Sequence, residues 1–139
     1  MIKALLISLS LAILAGCSSS QTNYSATSTG IREQGNASFY ADKYHGRLTA
    51  SGEKFDQQAM TAAHKQLPFN SKVKVTNTAN NRSVVVRVND RGPFIRGRII
   101  DLTKHAFEQL AEPSSGVINV TVKVLEVDRQ GRVRLSIKE

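Results

Sequence analysis

The chain has 139 residues, with 19 Lys and Arg against 11 Asp and Glu for a net charge of +8, and a single cysteine. At this length one compact domain is the default, because two would each lack a sizeable core. A lone cysteine, Cys17, excludes a disulfide framework, so non-covalent packing must carry the fold.

Lys3 is followed by an apolar run from Ala4 to Ala15, too short to span a bilayer but of the length of a secretory h-region. It ends in Leu14-Ala15-Gly16-Cys17, which resembles the lipobox that lipoprotein signal peptidase cleaves once the cysteine is lipidated. Residues 1–16 are therefore expected to be a signal peptide, and Cys17 the palmitate-bearing first residue of the mature chain. Ser18 after it resembles the signal for transfer to the outer membrane, facing the periplasm. Loss of Lys3 leaves 18 basic against 11 acidic residues, +7. Such a charge favours an anionic partner. Export removes nucleic acid and leaves phospholipid, lipopolysaccharide or the carboxylate-bearing cell wall.

Residues 17–34 are rich in Ser, Thr, Asn and Gln and bury too little to offset the entropy of ordering, so they read as a flexible tether. From Gly35 short apolar stretches alternate with turns. Val73 and Val75 alternate with lysines as a half-buried strand, and Thr78-Ala79-Asn80-Asn81 turns into a second strand over 82–90. Val84, Val86 and Val88 share one face of it, and Asp90 has the same parity, at the end of an apolar stripe. Thr103 is a candidate N-cap, with Ala106, Phe107, Leu110 and Ala111 at helical spacing and Pro113 closing the run. Leu102 and Phe107 suit a hydrophobic staple. Val117–Val127 is the longest strand, its parity slipping after Val124. Residues 128–139 turn into a further hairpin strand. The sum is a mostly antiparallel β-barrel over 35–127 with one short helix.

Polar groups crowd where strands should end: Thr49–Glu53, Phe55-Asp56, Ala62–His64 and Asn89–Pro93. Singly, each is explained by turn chemistry. Glu53 and Asp90 matter more if the fold joins them, because glycoside cleavage needs a proton donor at the leaving oxygen and stabilisation of an oxocarbenium-like state. Burial would raise the pKa of Asp90 and a nearby Arg87 or Arg91 would lower it, a balance the sequence leaves open. His45, His64 and His105 lack short ligand spacing, so neither a metal nor a cofactor is expected.

The strings ASFYADKYHGRLTASGEKFD (37–56), TAAHKQLPF (61–69), VKVTNTANNRSVVVRVNDRGPF (73–94) and GRIIDLTKHAFEQL (97–110), in this order, resemble the rare lipoprotein A family. The resemblance implies a six-stranded double-psi β-barrel, similar to that of expansins. It also implies an endolytic lytic transglycosylase acting on peptidoglycan strands that lack stem peptides. Asp90 matches the presumed catalytic acid. Glu53, for positioning or charge stabilisation, and His64, for orienting a carboxylate or sugar hydroxyl, complete the catalytic set. Tyr40, Thr49, Ser51, Asp56, Asn89 and Arg91 are the candidate substrate-binding residues. Phe39 and Tyr44 are further aromatics near the site, and Arg47, Lys54, Arg91 and Arg96 could favour the lactyl carboxylates of denuded glycan. Ala41 and Asn70-Ser71 depart from the family pattern without touching the carboxylates. Many members also append a sporulation-related repeat, for which a chain ending at Glu139 leaves no room. The alternative function is an expansin-like module that binds the wall, or partners other wall enzymes, without cleaving.

Overall fold

The computed structural model describes residues 32–125. Six strands, β1 (Arg32–Phe39), β2 (Thr61–His64), β3 (Lys72–Asn77), β4 (Ser83–Asp90), β5 (Arg98–Leu102) and β6 (Ile118–Val124), and one helix, α1 (Lys104–Glu108), make up the domain with two short 3-10 turns. The strands close into a barrel in the order β1-β5-β2-β4-β3-β6. Closure leaves no free sheet edge among the described residues. β1 with β5 and β2 with β4 run parallel; the other four pairings are antiparallel, so the antiparallel majority expected from the valine runs holds.

The β3–β4 hairpin follows its sequence pattern. Val73 and Val75 face Val86 and Val84 across the ladder, and with Val88, Val120, Val122 and Val124 they fill the barrel interior, all buried. Asn77 and Asn80 each accept a backbone N–H two residues ahead, from Ala79 and Arg82, which forms the turn. Their amides both donate to the Leu110 carbonyl, satisfying a carbonyl beyond the end of α1 that would otherwise be orphaned. Thr103 caps α1, its hydroxyl accepting from the Ala106 N–H, and Leu102, Ala106, Phe107 and Leu110 are wholly buried in one core with the valines.

One boundary differs from the expected one. β1 begins at Arg32, so Arg32-Glu33-Gln34, grouped by composition with the tether, are paired strand residues opposite Lys123, Val122 and Thr121. Composition missed them because β1 has little apolar signal; only Ala37 is fully buried. Its glycine is dictated by space, since a Cβ on Gly35 would stand 2.6 Å from Ile99 Cγ2. β6 spans Ile118–Val124, while Glu126 and Val127 of the expected strand and the expected C-terminal hairpin strand lie outside the described residues, as do the signal segment and Cys17.

Candidate active site

The site lies on the outer face of the β4-β2-β5 wall, and two β-bulges put it there. Along β2 and β4, Ala62 pairs with Val88 but Ala63 pairs with Asp90, so Asn89 is an extra residue. The extra residue reverses the parity of the strand beyond it. Asp90 therefore leaves the inward valine stripe to which simple alternation assigned it and faces outward beside Ala63. Along β1 and β5, Asn36 pairs with Arg98 but Ala37 with Ile100, so Ile99 is extra in the same way. That bulge sets Arg98 and Asp101 on one face, where the guanidinium binds Asp101 Oδ1 from Nη2 at 2.5 Å and from Nε at 3.0 Å. Asp101 in turn pairs with Ala63 from the other side. The result is a rung Asp90–Ala63–Asp101, two carboxylates separated by one methyl side chain.

An open groove of about 440 Å³ runs over this rung. Its floor is the paired Asp90, Ala63 and Asp101, and Tyr40, Tyr44 and the Gly92–Ile95 loop line it, with Arg91 and Arg98 contributing charge. Phe94 is 85% exposed on that loop.

Asp90 is firmly placed. Its Oδ1 accepts the Ala50 and Arg91 backbone N–H groups, both at 2.8 Å, and its Oδ2 accepts the Tyr40 hydroxyl at 2.5 Å. Burial, then the hydrogen bond and charge of Asp90, push the Tyr40 phenol well above its ordinary pKa, so it remains a donor. Tyr40 is itself fixed by Phe55 and Tyr44, with ring centroids 4.5 and 5.9 Å away.

Glu53 serves the same loop from behind. Arg87 grips it with both terminal nitrogens, at 2.6 and 2.9 Å, and the Asn89 amide adds a third bond at 3.1 Å. The Arg87 and Asn89 hydrogen bonds hold its carboxyl down at about 2. A carboxylate held so low is an anion at any working pH and is a poor proton donor. Glu53 does not line the groove. Its ion pair fastens the 49–53 loop to the bulged end of β4, and Ala50 in that loop holds Asp90.

His64 turns away from both carboxylates. It is 5% exposed, and its Nε2 meets Glu33 Oε2 at 2.9 Å. Its Nδ1 accepts the Gln66 and Leu67 N–H groups at 3.2 and 3.1 Å, which leaves Nε2 as the nitrogen that carries the proton. The carboxylate it orients is therefore Glu33, a residue the composition had placed in the tether. The turn it shapes supplies the Leu67 carbonyl that, with the carbonyl of His64, accepts Arg91 Nη1 at 2.9 and 3.2 Å. Arg91 lies over the Phe69 ring at 3.9 Å.

Of the expected substrate-binding residues, the structure brings Tyr40 and Arg91 to the groove with Asp90. Thr49 and Asn89 are buried, the first bonding the Glu53 carbonyl and Ser51, the second the Glu53 carboxylate. Asp56 accepts the Gln58 N–H as a turn cap. These four polar residues build the loop rather than line the groove. Sequence reasoning missed Asp101, Arg98 and Phe94. Asp101 sits in the quoted GRIIDL string, yet only the bulge at Ile99 shows that it faces the groove. Phe94 carries no sequence signal beyond its place after Gly92-Pro93.

A closed barrel with two parallel pairings, and a carboxylate-floored groove across the ends of its strands, defines a double-psi β-barrel domain. The chain belongs to the lytic transglycolase family, whose model matches residues 32–122. It is 50% identical over 113 residues to the endolytic peptidoglycan transglycosylase RlpA of Pasteurella multocida, covering 81% of this chain and 38% of that protein. This chain spans about two fifths of the length of the first curated relatives it matches. Among solved structures it is similar to the Streptomyces papain inhibitor, at 26% identity and a TM-score of 0.58 over 70% of this chain and 97% of that one. A variant expansin of Clavibacter michiganensis solved with cellohexaose shares the fold, with 17% identity and a TM-score of 0.56 over 70% and 52% of the respective chains. An inhibitor and an expansin on one barrel mean that function must be argued from the groove.

Proposed function

We propose that this chain is an endolytic lytic transglycosylase of peptidoglycan, acting on glycan strands that lack stem peptides. The carrying observation is Asp90, locked by three hydrogen bonds in an open groove with a second carboxylate one strand beyond Ala63. Oδ1 is filled by two backbone donors, whereas Oδ2 has Tyr40 alone, so Oδ2 is the oxygen that exchanges a proton. In the reaction, Asp90 protonates the oxygen between N-acetylmuramic acid and N-acetylglucosamine. The C1–O bond breaks, and the muramic acid's own 6-hydroxyl closes onto C1, giving a 1,6-anhydro ring. Its proton returns to Asp90, so one carboxyl is acid and then base and no water is consumed. Asp101, held by Arg98, is the second carboxylate of the groove, and we assign it to offset the positive charge that develops on the sugar. Phe94, Tyr44 and the arginines position the strand: the rings stack on sugar faces and the cations meet lactyl carboxylates.

A lipid at Cys17 and an outer-membrane address complete the proposal.

A second reading, an expansin-like binder that does not cleave, draws on Glu53 being occupied by Arg87 and Asn89 outside the groove. Incubating the mature chain with amidase-treated glycan, followed by mass spectrometry, separates the two. Anhydromuramic products should form and should fall about 10³-fold in Asp90→Asn with its melting temperature kept. Reducing ends would indicate hydrolysis, and binding without products would select the binder.

A further inference from the structure

The opposite wall of the barrel carries a row of cations for which the glycan groove has no use. Arg32 on β1 stands directly across from Lys123 on β6, and Lys123 directly across from Lys74 on β3. Directly paired residues point to the same face of a sheet. The interior is taken by Val73, Val75, Val122 and Val124, so the cations face outward. Lys72 lies two residues from Lys74 on that face, and Val85, 45% exposed, ends the rung on β4. Among the described residues, none of these four cations has a carboxylate within 4.0 Å. Like charges directly opposite destabilise a sheet, so the row is a cost that an anionic surface laid over it would offset.

Its position says which surface. In the ring of six strands, β3 and β6 lie three places from β5 and β2, so the row is on the far side of the barrel from the Asp90–Ala63–Asp101 rung. Arg32 also opens β1, whereas the groove residues Phe39 and Tyr40 lie at its other end. The row thus includes the first described residue, the one nearest Cys17 along the chain. We propose that this row is a membrane-docking face that seats the barrel on anionic phospholipid headgroups, so that the groove opens away from the membrane toward the wall. The proposal rests on the envelope-lipoprotein reading for its setting. A lipid at one point of the chain fixes address but not orientation; a basic face adds orientation. Each cation near an anionic bilayer strengthens partition about fivefold, so three together are worth about a hundredfold.

The test uses the mature chain with Cys17→Ser, which carries no lipid, co-sedimented with vesicles of phosphatidylethanolamine and phosphatidylglycerol or of phosphatidylcholine alone. Binding to the phosphatidylglycerol vesicles, absent with phosphatidylcholine, should drop about a hundredfold in Arg32→Gln/Lys74→Gln/Lys123→Gln and in high salt. The triple variant should melt no lower than the parent and should cleave soluble glycan at the same rate. Equal vesicle binding by the triple variant, or no binding by the parent, overturns the docking face. So does a triple variant that loses affinity for purified glycan or lipopolysaccharide instead, which would assign the row to that polymer. The mass of Cys17-containing peptide from envelope extracts tests lipidation separately, and the cleavage assay tests the groove, so each failure is distinguishable.

Discussion

The two walls of the barrel are built on different rules. The β3–β6 side is regular: its antiparallel registers run without a shift, valines point in and polar or basic residues point out. The β4-β2-β5 side is irregular, with two parallel pairings involving its strands, two bulges and a central strand of only four residues. Regular alternation makes a scaffold whose outer face is whatever the surroundings demand. A bulge uses one residue to re-aim the next, and here it does so twice, at Asn89 and Ile99, to bring two carboxylates to one floor. The chemistry therefore belongs to the wall with the weaker pattern, and the attachment, by our proposal, to the wall with the stronger one.

Substitutions behind the groove sharpen this contrast, because they should affect cleavage and stability together, whereas those on the cationic wall should affect neither. The largest effect is expected at His64. It is buried and makes three hydrogen bonds, so His64→Ala strands two backbone N–H groups and should cost about 2–3 kcal/mol in denaturant unfolding. Cleavage should fall more than tenfold through the loosened Arg91. Glu33→Gln, which keeps an acceptor for Nε2, should retain activity within about threefold. If His64 were the acid or base itself, His64→Ala would shift the pH–rate profile, and Glu33→Gln would move it too.

Glu53 gives a smaller, pH-dependent effect. Its folded pKa lies below the ordinary value of 4.5, at about 2, so the stability it contributes is present above pH 4.5 and is lost as pH falls through about 2. The side chain is 41% exposed, and solvent screening limits the contribution to about 1 kcal/mol. Glu53→Gln should therefore be less stable than the parent by about that amount at neutral pH and indistinguishable from it near pH 2. A constant difference across that window would mean that the ion pair with Arg87 contributes nothing.

What the sequence made legible divides along the same line. The valine alternation of β3, β4 and β6 and the Thr103 cap are local signals, and they predicted the corresponding elements. β2, Thr-Ala-Ala-His, is buried on both faces and has no alternation to read, and β1 is polar because its outer face is wet at one end. Asp90 was identifiable from its motif, but its direction was not, since a bulge is a property of two strands and one strand's parity predicts the wrong face. Glu53 and His64 were legible as residues that matter; that they act on Asn89, Arg87 and Glu33 depends on contacts 31–36 positions apart. Asp101 needed both a bulge and a pairing to be seen.

The smallest predicted effect isolates the groove's rim from its floor. Phe94 is 85% exposed, so it contributes little to the core, and Phe94→Ala should leave the melting temperature within about 1 °C. A ring with so much apolar surface in water, on the lip of a groove whose floor is polar, is suited to the apolar face of a pyranose. Stacking beyond mere burial is worth about 0.5–1.5 kcal/mol, which corresponds to a two- to tenfold rise in KM. Because Asp90 is held by Ala50, Arg91 and Tyr40 and not by this ring, kcat should hold. A fall in kcat at unchanged KM would mean that the 92–95 loop positions the reacting bond rather than the strand, and would extend the catalytic floor to its rim.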